Sequence, residues 1–159
     1  MDHVPNLDEK LSFFRSCSAA ELPGLVFSVL PVHQLPGSYL ESLSAEDSAV
    51  CLRACMICWA ITEGTMVPRE MQLRTVVADY HGQDTLISAG TGSGKTLPIA
   101  LCIHLDNPSD HRINLTVSPL KRLQVTQESD FNKRFHIPTL VINDDTSTEN
   151  AFWNVNRVF

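Results

Sequence analysis

Ala89-Gly90-Thr91-Gly92-Ser93-Gly94-Lys95-Thr96 sets three glycines, a lysine and a threonine at the spacing of a loop that cradles phosphates. Glycines let successive backbone N–H groups turn inward around a triphosphate, where a Cβ would block the approach. Lys95 reaches the β- and γ-phosphates and is the candidate catalytic cation, while the Thr96 hydroxyl is a candidate Mg²⁺ ligand. Ala89 stands where the first glycine of such a loop usually stands.

The flanks supply what the loop needs. Thr85 to Ala89 is a short apolar run that predicts a buried strand, and Leu97 to Leu105 predicts the helix that follows. The N-terminus of that helix offers free N–H groups and the positive end of a dipole to an anion. Pro98 falls in its first turn, where a missing N–H has no intrahelical partner to lose.

Upstream, Pro5, Pro23, Pro31 and Pro36 break the first 40 residues into short pieces, with short elements at Leu11 to Cys17 and Leu25 to Leu30. Ser44, with Asp47 three residues on, predicts the start of a helix that Gly64 ends. Its body, Ala49 to Ile61, is apolar nearly all round and therefore predicts burial. Pro68 predicts the first position of a second helix to about Tyr80, followed by a turn over 81–84. Downstream come a turn at Asn107 to Asp110 and a strand at Ile113 to Val117. Ser118-Pro119 then predicts a helix start, followed by a strand at Thr139 to Ile142 and, at Thr146 to Glu149, the cap of a last helix. Strands alternating with helices predict an α/β class, a parallel sheet covered by helices. The boundary falls near residue 64, between a mostly helical N-terminal extension (1–64) and a nucleotide-binding region (65–159).

Composition narrows the partners. At 159 residues, 43% hydrophobic and with a net charge of -6, the chain has no broad basic face. Any nucleic acid must be met by local backbone and hydroxyl contacts. No apolar run is long enough to cross a bilayer, and MDHVPNLDEK lacks a secretory pattern, so no membrane partner is expected. Five cysteines without such a signal suit a reducing nuclear or cytoplasmic compartment.

Three segments in order resemble a known family. Pro68-Arg69-Glu70-Met71-Gln72, then Gly82-Gln83-Asp84, then Ala89 to Thr96 are similar to the first RecA-like lobe of superfamily 2 helicases, the DEAD/DEAH-box and RecQ-like group. Val117-Ser118-Pro119-Leu120-Lys121-Arg122-Leu123, with Gln127 beyond, resembles the next family motif in its RecQ-like Ser-Pro-Leu form. The likeness covers about Val67 to Asn143. It implies a partial RecA-like fold, ATP and Mg²⁺ as cofactors, and Gln72 as the amide that pairs with the adenine edge. It further implies Ala89, Gly90, Thr91, Gly92, Ser93, Gly94, Lys95 and Thr96 as nucleotide contacts. Ser118, Pro119, Leu120 and Lys121 become contacts to the backbone of a DNA or RNA strand. Residues 1 to 60 match no such pattern.

The family's acidic pair, which holds Mg²⁺ and polarises the attacking water, has no Asp-Glu-x-Asp or Asp-Glu-x-His counterpart in these 159 residues. Val76-Val77-Ala78-Asp79 precedes the loop and reads as helix. Leu140 to Asp145 follows it, but Asn143 takes the first acidic place. The expectation is the ATP-binding front part of a RecQ-like DNA helicase, inactive without the acidic pair and the remainder of the helicase chain. The alternatives are a P-loop kinase or other nucleotide-dependent transferase, and a nucleotide-binding module without catalysis. Cys51, Cys55 and Cys58 share the spacing of an iron–sulfur motif, yet within an apolar helix they read as core.

Overall fold

A computed structural model describes residues 5–144, which fall into two compact units divided between Leu115 and Thr116. In the first unit, α1 (Leu7–Ser16) opens on Asn6, whose side chain accepts from the Glu9 N–H while Glu9 accepts from the Asn6 N–H. This reciprocal cap satisfies two otherwise orphaned donors. It starts the helix four residues earlier than the apolar pattern predicts. Pro23 sits in the first turn of α2 (Leu22–Val29), where it initiates the helix instead of breaking one. A 3₁₀ turn (Val32–Gln34) and the short α3 (Gly37–Glu41) follow.

The central element is α4 (Ala45–Ile61), capped as expected by Ser44 Oγ accepting from the Asp47 N–H at 3.1 Å. Its body, apolar nearly all round, is explained by its surroundings: α1, α2, α5 (Glu70–Tyr80) and α6 (Thr96–Leu105) all pack on it. Cys51, Ala54, Cys55, Ile57 and Cys58 are fully buried there. Each large apolar side chain withdrawn from water, such as Ile57 here or Leu101 on α6, contributes about 1.5–3 kcal/mol. Residues on either side of position 64 therefore share one core. The chain leaves α4 through Gly64, whose φ of +77° suits a residue without a Cβ.

The expected parallel sheet does not form: among the described residues there is no strand. Thr85 to Ala89 and Ile113 to Val117 are irregular, and Leu86 (97%), Ile113 (90%) and Leu115 (88%) stand almost wholly in solvent. The side-chain pattern for strands is present, but a strand also needs a neighbour to take its N–H and C=O groups.

In the second unit, α7 (Lys121–Ser129) runs into a π-helical turn (Asp130–Arg134), and Phe131 and Phe135 close a small apolar centre. The expected strand at Thr139 to Ile142 finds side-chain partners here. Asn132 donates to the Thr139 carbonyl at 2.9 Å and accepts from its N–H at 3.0 Å, while Glu128 accepts from the Val141 N–H. These bonds occupy groups that a sheet ladder would use. Two helix starts also shift. Pro68 lies just outside α5, with Arg69 at its cap, and α7 begins at Lys121 after Leu120 instead of at Pro119 after Ser118. The expected cap of a last helix at Thr146 to Glu149 lies outside the described residues.

Candidate nucleotide-binding site

The phosphate loop spans from the exposed segment 85–89 to the first turn of α6, which starts at Thr96 as the motif requires. Only Gly92 and Gly94 use glycine's conformational freedom, at φ +78° and +80°. Ala89 lies outside the left-handed region, so a Cβ is tolerated there and its departure from the usual glycine carries no strain. Lys95 folds back over the loop, its Nζ donating to the carbonyls of Ala89 and Gly90, both at 2.7 Å. A polyphosphate would compete with these two carbonyls for the same ammonium group.

Gln72 is the second part of the site. It is only 2% exposed, on the buried face of α5. Its Oε1 accepts from the Arg69 N–H at 2.8 Å and its Nε2 donates to the Gly94 carbonyl at 3.0 Å. The segment expected to read the base and the loop expected to hold the phosphates thus meet directly. A Cβ on Gly94 would lie 2.6 Å from Gln72 Nε2, so any larger residue there must displace the Gln72 amide as well as adopt a left-handed φ.

Between them lies a cleft of about 230 Å³ lined by Thr65, Met66, Val67, Arg69, Gln72, Gly92, Ser93 and Gly94. Its wall combines the half-buried Met66 and Val67 with loop backbone, the mixture of apolar surface and few polar groups that small-ligand sites show. The Ser93 hydroxyl is buried without a hydrogen-bond partner, an orphan that a bound polar ligand would satisfy. A larger cleft of about 350 Å³ lies elsewhere in the first unit, lined among others by Arg15, Arg53, Asp79 and Arg112. Thr65, Met66 and Val67 carry no motif, and only the chain reversal after α4 brings them to the cleft.

Two further expectations have definite positions. Asp79 ends up inside α5, where it hydrogen-bonds the Cys102 thiol. In the second unit, Ser118 caps nothing; its carbonyl accepts from Gln124 Nε2 at 2.7 Å, and Gln124 Oε1 accepts from Asn143 at 3.2 Å. Lys121 pairs at 3.8 Å with the fully solvated Asp144, within reach of water and of any competing phosphate. The unit thus brings Ser118, Lys121, Asn143 and Asp144 together. Cys51, Cys55 and Cys58 are core residues of α4, and burial pushes the Cys51 thiol up to about 12.

A model of the DEAD/DEAH box helicase family matches residues 69–155, more than half of the chain, beginning at the residue that caps α5. The chain belongs to the DEAD/DEAH box helicase family. It is also similar to a probable ATP-dependent RNA helicase DDX52 from Bos taurus, 28% identical over 118 residues. That similarity covers 72% of this chain and 18% of the relative, so the chain spans less than a fifth of the relative's length. No solved structure matches. DEAD/DEAH helicases use ATP with Mg²⁺, and the residues present fit that group. The loop N–H groups and Lys95 would hold the phosphates, and Thr96 would meet the metal, which supplies charge neutralisation when bound. The buried Ser93 hydroxyl and the two left-handed glycines give the cradle its polar lining and its room.

Proposed function

We propose that this chain is the ATP-binding front part of a RecQ-like DNA helicase, with residues 65–159 contributing to its first lobe and residues 1–64 forming a helical extension. The observation that carries the reading is the bond from Gln72 to Gly94, which puts an adenine-reading amide against the phosphate loop. An amide can exchange its two present partners for the N6 donor and N7 acceptor on one edge of adenine, a bidentate pairing that guanine does not match. Ser118-Pro119-Leu120 favours the RecQ-like form, and Ser118 to Lys121 would touch the strand's phosphate backbone. The cysteines suit a reducing nuclear or cytoplasmic setting.

A second reading has one specific observation behind it: the similarity to a probable ATP-dependent RNA helicase favours RNA as the strand. Family membership weighs against a kinase or other transferase. Nucleotide affinity should be titrated for ATP and GTP, alone and with single-stranded DNA or RNA of the same sequence, at several salt concentrations. The DNA reading expects an ATP preference and tighter ATP binding with DNA. Its salt slope should be shallow, because so few cations meet the backbone. A response to RNA alone would replace DNA by RNA, and equal affinity for GTP and ATP would remove the adenine-reading role of Gln72.

A further inference from the structure

The helix that begins at the phosphate loop is held at both ends by elements that precede it in the chain. At its start, Gln72 of α5 holds the carbonyl of Gly94. At its other end, Arg15 of α1 donates from Nε to the carbonyl of His104, in the last turn of α6, at 2.6 Å. The carboxyl end of α1 is itself held, because Arg53 of α4 donates to the carbonyls of Phe14 at 3.0 Å and Cys17 at 2.9 Å. Between these anchors α6 buries Leu97, Ala100 and Leu101.

We propose that Arg15 is a positioning residue for the nucleotide site. It fixes the rotation and axial position of α6 and, through that rigid element, the loop that receives the phosphates. A cation at a helix C-terminus satisfies a carbonyl left without an intrahelical donor and opposes the negative end of the dipole. A ten-residue helix is about 15 Å long and stiff, so a tilt or slide at its last turn appears at its first. The phosphate N–H cradle tolerates only small displacements, because its grip depends on several short bonds made at once. Arg15 also lines the 350 Å³ cleft with Arg53, Asp79, Asp106 and Arg112, which leaves room for the α6 end to shift once the anchor is cut. The N-terminal segment, which lies outside the matched family region, thus becomes part of the ATP machinery.

This inference rests on the nucleotide reading above, and the test separates the two. Affinities for ATP, ADP and AMP are measured by calorimetry on wild type, Arg15→Ala, Arg15→Lys and Leu11→Ala, with thermal midpoints taken alongside. Arg15→Ala is expected to weaken ATP and ADP about three- to tenfold while leaving AMP nearly unchanged. Arg15→Lys, which keeps the charge and one donor, recovers most of the loss. Leu11→Ala lowers the midpoint of α1's unit but leaves the affinity of the folded protein unchanged. Should Arg15→Ala fail to fold, the comparison passes to Arg15→Gln, which keeps length and a donor without charge and should fall between Lys and Ala. Equal ATP affinity across the Arg15 variants, or an equal loss for AMP and ATP, would overturn the positioning role alone. A wild-type chain that binds no ATP would overturn the nucleotide reading and this inference with it.

Discussion

Gln72 Nε2 lies 3.0 Å from the Gly94 carbonyl across 22 residues of sequence, and a Cβ on Gly94 would come within 2.6 Å of that nitrogen. Gly94→Ala therefore meets two obstacles, a collision and a left-handed φ of +80°. The strain alone costs about 1–2 kcal/mol. Gly94→Ala should weaken ATP binding by more than that strain alone, because the Gln72 amide must also move. Adding Gln72→Ala opens the space but not the backbone, so the double variant should bind ATP about 5- to 30-fold more weakly than Gln72→Ala alone; calorimetry on all three variants checks this.

Lys95→Ala should weaken ATP binding by about 1.5–3 kcal/mol, the value of a hydrogen bond to a charged group. The two loop carbonyls it leaves are exposed and rehydrate easily, so the thermal midpoint without nucleotide should hardly move. Gln72→Ala should behave oppositely in both respects. It leaves the Arg69 N–H without its partner and the Gly94 carbonyl with only the Leu97 N–H, lowering the midpoint, and it reduces the preference for ATP over GTP. A midpoint unaffected by Gln72→Ala would count against the anchoring role.

The buried thiols make a pH prediction. Burial comes first among the causes that raise Cys51 and Cys102, each from an ordinary 9.0 to about 12. For Cys51 the charge of Asp47 adds to it, and for Cys102 that of Asp79. An acid whose folded value is raised binds its proton more tightly in the folded state. Its contribution is therefore complete below the unfolded value and is lost as pH rises from about 9 toward 12. Chemical denaturation at pH 7 and pH 10 should show lower stability at pH 10, and Cys51→Ala should flatten that fall. Thiol reagents at pH 8 should label Cys51 and Cys55 only at the rate of opening.

Leu86, Ile113 and Leu115 are apolar residues in solvent, on segments whose backbone lacks strand partners. Unpaired, apolar, extended segments template association. The 159-residue chain should scatter light increasingly with concentration, and Leu86→Lys with Ile113→Lys should suppress it without changing helix content. Undiminished scattering in that double variant would place the sticky surface elsewhere.

Without a family-type acidic pair in these 159 residues, the chain should hold ATP but release phosphate slowly, because phosphoryl transfer depends on positioning and charge. Steady-state phosphate release with and without single-stranded DNA measures this, alongside Asp144→Ala. Strand-stimulated turnover that disappears in Asp144→Ala would make Asp144 the metal acid and give the chain complete hydrolytic chemistry.

What the residues determined on their own were features encoded by local chemistry. The glycine spacing of the phosphate loop, the Ser44 cap, the apolar body of α4 and the start of α6 are all short-range patterns, and each lies where its chemistry directs. The Asn6–Glu9 cap and the favourable place of Pro23 were equally local, but four prolines in 36 residues pointed toward breaks instead. Strands were different. Thr85 to Ala89 and Ile113 to Val117 carry strand-type side chains, yet a ladder is made between segments, and their partners are not set by their own residues. Only the tertiary structure decided that Gln72 turns its amide onto Gly94, that Thr65 to Val67 wall the cleft, and that Arg15 reaches His104 across 89 residues. Those contacts depend on how α1, α4, α5 and α6 pack, and helix periodicity specifies which face is buried without specifying against what.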